Sequence, residues 1–515
     1  MRLHVAAIFA AFVIGACTTE KIQYVTRPPF NPPPDLSSGF LGYFTVSDKQ
    51  TTCGNCHVLH QRDWKNTKHA GAWTSLVASG QRASNGSCDA CHSLTDYGNI
   101  AVGPAGYSRV ADSAYHDVQC ESCHGPGYSH VLEPDLEGNV PLAHISLTDA
   151  TASCASCHTG THNPFFDEWK QSRHGQIVAF AAARAECASC HDGKQTLIAW
   201  GVTANYAEKT QAGAEPVDCA VCHNPHGSPY EHQLRFSAAS PDPQQNLCMH
   251  CHYRRVEPEL GDARGSTSPH APQGAVLLGE AGYRASTFTF DQTLMTSHGP
   301  AGNPGLCATC HVYRFNVTDA QGAFQYQATG HLFRPLPCYD PATGYPIADN
   351  SCAYVESERS FRACAQCHGS ESTARSALSV LRSRIKSLAD VLWIDANDNE
   401  TVDSIPIDGG YLAKLKLQAG DRNAWKITTP DTISAAEGAE FNAKLAGEGL
   451  YANGDKSLGV HNPFLYEALL RANIEELENK YPAFLPAPPP AVQQMLKEPL
   501  LGGMRLPVVQ QASRR

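Results

Sequence analysis

The chain has 515 residues, with 39 Lys and Arg against 50 Asp and Glu, for a formal charge of −11. That balance, with no basic patch along the sequence, argues against nucleic acid as a partner. Aromatic residues make up 8% and charged residues 17%, both modest for this length, while cysteines number 21.

In chain order, Arg2 forms a short basic start, residues 5–16 (VAAIFAAFVIGA) an apolar run of twelve, and a lone Cys17 follows. Residues 1–16 read as an export signal, too short to span a bilayer as a helix. The ending Ile14-Gly15-Ala16-Cys17 resembles the lipobox of bacterial lipoproteins, which implies cleavage and lipidation at Cys17. The alternatives are an ordinary signal peptide or a buried cysteine. Thr18 stands where an aspartate would mark retention at the inner membrane, so the resemblance implies an outer-membrane destination facing the periplasm or the cell exterior. Residues 17–45 follow as a lipidated tether, whose stretch YVTRPPFNPPPDLSSGF (24–40) is rich in proline and poor in charge, hence extended. No other uninterrupted apolar run reaches spanning length, so attachment to a membrane is expected through lipid alone.

From residue 53 onward the pattern Cys-x-x-Cys-His recurs nine times. Its members are Cys53, Cys56 and His57; Cys88, Cys91 and His92; Cys120, Cys123 and His124; Cys154, Cys157 and His158; and Cys187, Cys190 and His191. It continues with Cys219, Cys222 and His223; Cys248, Cys251 and His252; Cys307, Cys310 and His311; and Cys364, Cys367 and His368. Two thiols three residues apart each form a thioether to a haem vinyl group, and the adjacent histidine is then held under the iron. The pattern therefore predicts nine covalently attached haem c groups, with these histidines as proximal ligands. Zinc knuckles are the alternative, but zinc pairing requires no histidine after every second cysteine. Nine haems leave roughly 55 residues each, so much of the apolar interior is expected to be porphyrin, and folding is expected to require haem.

Internal repetition organises the chain. Motif starts at 53, 88 and 120 are matched by starts at 154, 187 and 219, with offsets of 101, 99 and 99, and RDWKNTKH (62–69) parallels DEWKQSRH (167–174). Residues 46–150 and 151–240 thus read as two copies of a trihaem module. Residues 241–370 form a third trihaem region with longer insertions, and 371–515 a helical C-terminal region. The expected fold class is mostly α and irregular coil, cored by haem. Helices are predicted over DWKNTKHAGAWTSLVA and EWKQSRHGQIVAFAAARA, running from the histidines they contain. Another is predicted along the stripe Leu378, Leu381, Ile385, Leu388 and Leu392. A further one starts at Asn462, as N-cap, and Pro463. The stretch 482–490 is predicted irregular. DANDNE (395–400) begins like a calcium loop, but Glu400 and Pro406 replace its glycine and glutamate, so it reads as an acidic turn.

Each six-coordinate iron needs a second ligand. Of 24 histidines, His4 lies in the signal and nine follow cysteines, which leaves 14 candidates for nine irons. Ligation by two histidines throughout is therefore possible, and such closed, low-spin irons suit electron transfer rather than substrate chemistry. The distal candidates are His69, His130, His162, His174, His226, His270, His298, His331 and His461, with His60, His116, His144 and His232 as alternates. His250, inside a motif, is left to packing. No catalytic side chain is assigned. Cys338 and Cys352 remain outside the motifs; they pair as a disulfide or stand as two free thiols, and a closed loop of this size would contribute about 3 kcal/mol.

CESCHGPGYSH, EWKQSRH, CHNPHGS and VHNPFLYEALL resemble segments of the multihaem cytochromes c related to hydroxylamine oxidoreductase and to the outer-membrane electron conduits of metal-respiring bacteria. The resemblance covers about residues 50–475. It implies closely stacked haems, alternately parallel and perpendicular, along which electrons hop. The reading that follows is an exported electron carrier, more electron carrier than enzyme, passing electrons to or across the outer membrane with other cytochromes or an outer-membrane conduit as redox partners. Some relatives instead convert small nitrogen or sulfur compounds at an open haem, often one whose motif histidine is replaced by lysine; here all nine motifs end in His. A third alternative is a subunit of an extracellular haem filament.

Overall fold

The computed structural model describes residues 30–143, 153–202, 212–260, 268–289, 298–347, 352, 358–393, 410–418, 433–446, 454–457 and 459–500. Cys17, His144 and the DANDNE segment lie outside them.

The chain is mostly short helices and coil. With 41 glycines and 34 prolines it is punctuated too often for long elements before residue 371. Sheet among the described residues is confined to two antiparallel hairpins, Tyr43–Thr45 with Gln50–Thr51 and Phe315–Thr318 with Phe324–Ala328.

The two WK segments do not continue as single helices. The first runs over Val58–Trp64, breaks, makes a 3₁₀ turn at His69–Gly71 and resumes at Ala72–Ala78. The second runs over Phe165–Gln171 and ends at Ser172, with a short turn at Ala179–Ala182. The cause is local. The hydroxyls of Thr67 and Ser172 donate to the carbonyls of Trp64 and Trp169, at 2.8 and 2.7 Å, and so compete with the helical ladder. His69 and His174 therefore sit just beyond a helix end, where the backbone can turn them inward. The parallel extends to tertiary contacts: the Trp64 indole donates to the Val118 carbonyl and the Trp169 indole to that of Val217, each two residues before a motif cysteine. The two copies also abut. Gly227 approaches Asp63 so closely, at φ +116°, that a Cβ would lie 2.6 Å from the Asp63 carbonyl oxygen.

The C-terminal region is built differently. The Glu371–Leu392 helix is capped by Ser370, whose hydroxyl accepts from the Thr373 amide at 3.0 Å. It packs with Gly410–Gln418, Ala435–Ala446 and Pro463–Lys480 around one continuous core that includes Ile385, Leu388, Phe441, Leu469 and Leu470. Arg384 and Glu467 join two of these helices through paired hydrogen bonds of 2.8 and 3.1 Å. The stretch 482–489 is irregular, and a short helix, Pro490–Lys497, follows it. Cys338 and Cys352 are bonded to each other, with Cα atoms 6.3 Å apart.

Candidate haem-binding site

Each motif closes a single helical turn. The amide of His57 donates to the carbonyl of Cys53 at 2.9 Å, and His124, His158, His223 and His252 repeat the bond to Cys120, Cys154, Cys219 and Cys248. His191, His311 and His368 end short helices that contain their cysteines, and His92 ends one that Cys88 precedes as N-cap. Cysteines at i and i+3 thereby share one face of the turn.

These turns line one continuous cavity of about 4700 Å³ that takes residues from all nine motifs. Spread over nine motifs this is on the order of 500 Å³ each, within the roughly 300–1,000 Å³ of a single cofactor pocket. Among the described residues no three His, Cys, Asp or Glu side chains converge as a tetrahedral zinc site needs.

Across the cavity, imidazoles face each other in pairs. His57 and His130 have ring centres 6.4 Å apart, His69 and His158 6.2 Å, His124 and His226 6.2 Å, and His174 and His252 6.1 Å. His191 and His270 stand 6.1 Å apart, His223 and His331 6.3 Å, His298 and His368 6.1 Å, and His311 and His461 6.1 Å. Two imidazoles bound to one metal, at metal–nitrogen distances of about 2 Å, have centres about 6 Å apart. The spacing fits an iron between each pair.

The hydrogen bonds orient the rings. Nδ1 of His92 faces the Ala72 carbonyl at 2.9 Å, that of His124 the Pro141 carbonyl at 2.8 Å, and that of His223 the His232 carbonyl at 2.7 Å. His311 and His298 do the same with the carbonyls of Phe333 (3.0 Å) and Val460 (2.7 Å), and His252 with the amide oxygen of Gln273 (3.2 Å). These acceptors oblige Nδ1 to carry the proton and leave Nε2 to bind metal. Burial pushes the pKa values of His158, His174, His226, His311 and His331 down to about 4, which keeps the rings neutral, as ligands must be. His461 behaves otherwise: burial pushes it down, but the Asp455 carboxylate more than offsets this and raises it.

Not every distal candidate meets a motif histidine. His162 faces none of the nine and does not line the cavity. His60 lies 6.4 Å from His57, as His130 does, but on the same helical turn, which leaves no path for a macrocycle between the two rings. His60 instead sits 4.4 Å from His226. His116 stacks on Trp73 at 4.0 Å, and His232 serves His223 through its carbonyl. His250 stacks on Phe236. Among the described residues, His92 is the motif histidine with no imidazole facing it.

Thiol contacts order the motifs in space. Hydrogen-bonding contacts join Cys53 to Cys120, Cys154 to Cys219 and Cys248 to Cys307. Electrostatic contacts link Cys123 to Cys154, Cys222 to Cys248, and Cys310 to Cys364. The motifs beginning at 53, 120, 154, 219, 248, 307 and 364 thus form a spine. Cys91 meets Cys157, and Cys190 meets Cys251, so the motifs at 88 and 187 branch from it. The sequence carries no signal for this order.

Residues 52–125 match the family model for cytochrome c554 and c-prime, and residues 212–257 the model for a doubled CXXCH motif. The chain is a multihaem c-type cytochrome. It is similar to the multiheme cytochrome MtrA of Shewanella baltica, 25% identical over 204 residues that make up 36% of this chain and 56% of that protein. The chain therefore spans about half the length of this curated relative. An undecaheme cytochrome from the S-layer of Carboxydothermus ferrireducens is also similar, at 19% identity and a TM-score of 0.39, over 71% of this chain and 50% of that one. No helix among the described residues is long and apolar enough to cross a membrane.

Proposed function

We propose that the chain carries nine haem c groups and passes electrons along them, as an exported lipoprotein held through Cys17 at the outer membrane. Its redox partners are other cytochromes or an outer-membrane conduit. The observation that carries this reading is the set of eight imidazole pairs at 6.1–6.4 Å. Haem iron, when bound, supplies reversible one-electron exchange between its ferric and ferrous states. The protein's own residues would do the rest: the cysteines would fix each group in place, the eight imidazole pairs would hold their irons, and backbone or side-chain oxygens would hold the rings' tautomers. No side chain acts as acid, base or nucleophile. The spine of motifs from Cys53 to Cys364 supplies the route.

The mass of the purified holoprotein tests the first claim, since nine haems and a diacylated Cys17 each add a defined increment. EPR of the oxidised protein, with spins counted against total iron, tests the second. Mostly low-spin iron supports a wire.

One observation favours a second reading, an oxidoreductase acting on nitrite, hydroxylamine or a sulfur oxyanion at an open iron. His92 has no imidazole opposite it among the described residues. A high-spin signal near one per protein, unchanged in His144→Ala, supports that reading. A wholly low-spin spectrum that gains such a signal in His144→Ala makes His144 the missing ligand and removes the site.

A further inference from the structure

His461 differs from the other oriented imidazoles in what its Nδ1 meets. The others donate to neutral carbonyl, amide or hydroxyl oxygens. His461 donates to Oδ1 of Asp455 at 2.6 Å. The carboxylate is buried, 3% exposed, and its other oxygen accepts from the Ser457 hydroxyl. Tyr466, fully buried at the start of the Pro463–Lys480 helix, donates its hydroxyl to the Leu445 carbonyl at 3.3 Å beside this pair. The carboxylate thus meets His461 through one oxygen and Ser457 through the other.

Resting on the reading of His311 and His461 as an iron's two ligands, we propose that Asp455 makes the site at Cys307–His311 the low-potential step of the spine. A carboxylate that accepts from Nδ1 gives the imidazole imidazolate character and raises its basicity. A stronger donor favours ferric over ferrous iron, and a buried negative charge adjoining the ligand acts in the same direction. Neutral acceptors elsewhere do neither. Cys307 lies within hydrogen-bonding reach of Cys248, and Cys310 within electrostatic reach of Cys364, so this site lies between two others on the route. It is then the last of the three to be reduced, and electrons cross it as a step up in energy.

The test is a redox titration of the holoprotein, followed optically and by EPR, in Asp455→Asn. One midpoint potential shifts upward while the others hold, and Asp455→Glu returns it toward the original value. Ser457→Ala, which withdraws a donor from the carboxylate and leaves more negative charge for His461, shifts the same potential downward. It decides the matter if Asp455→Asn fails to load all its haem. Unmoved potentials in a fully loaded, low-spin Asp455→Asn protein overturn the proposal. His461→Ala tests the reading beneath it: one iron turns high-spin if His461 is a ligand, and an unchanged spin count overturns the ligand assignment and the proposal together.

Discussion

Residues 30–370 and the helices after 371 solve the problem of an interior in opposite ways. The C-terminal helices share one apolar core, in which Leu388, Phe441, Leu465, Leu470, Ile474 and Leu477 are essentially unexposed. Among the described residues, the motif-bearing part lends Ala275, Val276 and Ala281 to that core and otherwise has small, separate clusters. Phe40, Leu94, Ala105 and Tyr115 form one, Tyr43, Trp64 and Ala70 another, and Ala155, Phe166 and Trp169 a third. Between them lies the cavity of about 4700 Å³. The first region leaves its centre to a cofactor, and the second fills it with side chains. Stability in one should then follow haem attachment, and in the other, van der Waals packing.

The largest effect breaks the comparison directly. Chain produced without haem attachment should lose its protected structure in the motif-bearing segments, while Gln273–Leu278 and the helices from 371 onward, which share one core, remain resistant to limited proteolysis. Mass spectrometry of the fragments checks it. Equal protection of both regions would show that the clusters suffice.

Within the packed region, Leu470→Ala should cost about 2–5 kcal/mol, because the site cannot collapse around the lost atoms. Arg384→Ala comes next, at about 3 kcal/mol, since it strands the Glu467 carboxylate, which is 3% exposed, without its guanidinium. Both are read from denaturant midpoints of the holoprotein. The haem absorption should stay intact in both if the two regions are as independent as their cores.

The repeat sharpens the comparison from the other side. Trp64→Phe and Trp169→Phe each remove one indole donor from a valine carbonyl, so each should cost about 1–3 kcal/mol, and by similar amounts. Unequal costs would mean that the two copies have diverged in how they carry load. The sequence suggests this parallel through motif spacing and the WK segments, and the matching Trp64 and Trp169 bonds follow the same positions. Also legible were the leucine stripe at 378–392 and the Asn462–Pro463 helix start, where local pattern and tertiary role agree. The Ala435–Ala446 helix was not. It is buried nearly all round, including Glu437, Glu440 and Asn442, so no amphipathic period marks it. The breaks before His69 and after Gln171 depend on single hydroxyls choosing a carbonyl. Which histidine faces which motif depends on folding across distant segments, as with His311 and His461. Spacing along the chain cannot encode that.

The smallest effect falls where the two regions meet. Asn462 is fully buried and its side-chain oxygen accepts from the Leu465 amide at 3.0 Å, capping the Pro463–Lys480 helix. His461 is the preceding residue, so one cap serves both a packed helix and a cavity-facing imidazole. Asn462→Ala should cost about 1 kcal/mol in the unfolding of the C-terminal helices. If the helix end also aims His461, the low-spin EPR envelope should broaden in that variant. Asn462→Ser, which keeps an accepting oxygen, should restore both. Loss of stability with an unaltered spectrum would place the boundary between the packed and cofactor-cored regions between residues 461 and 462, with Asp455 alone holding the ring.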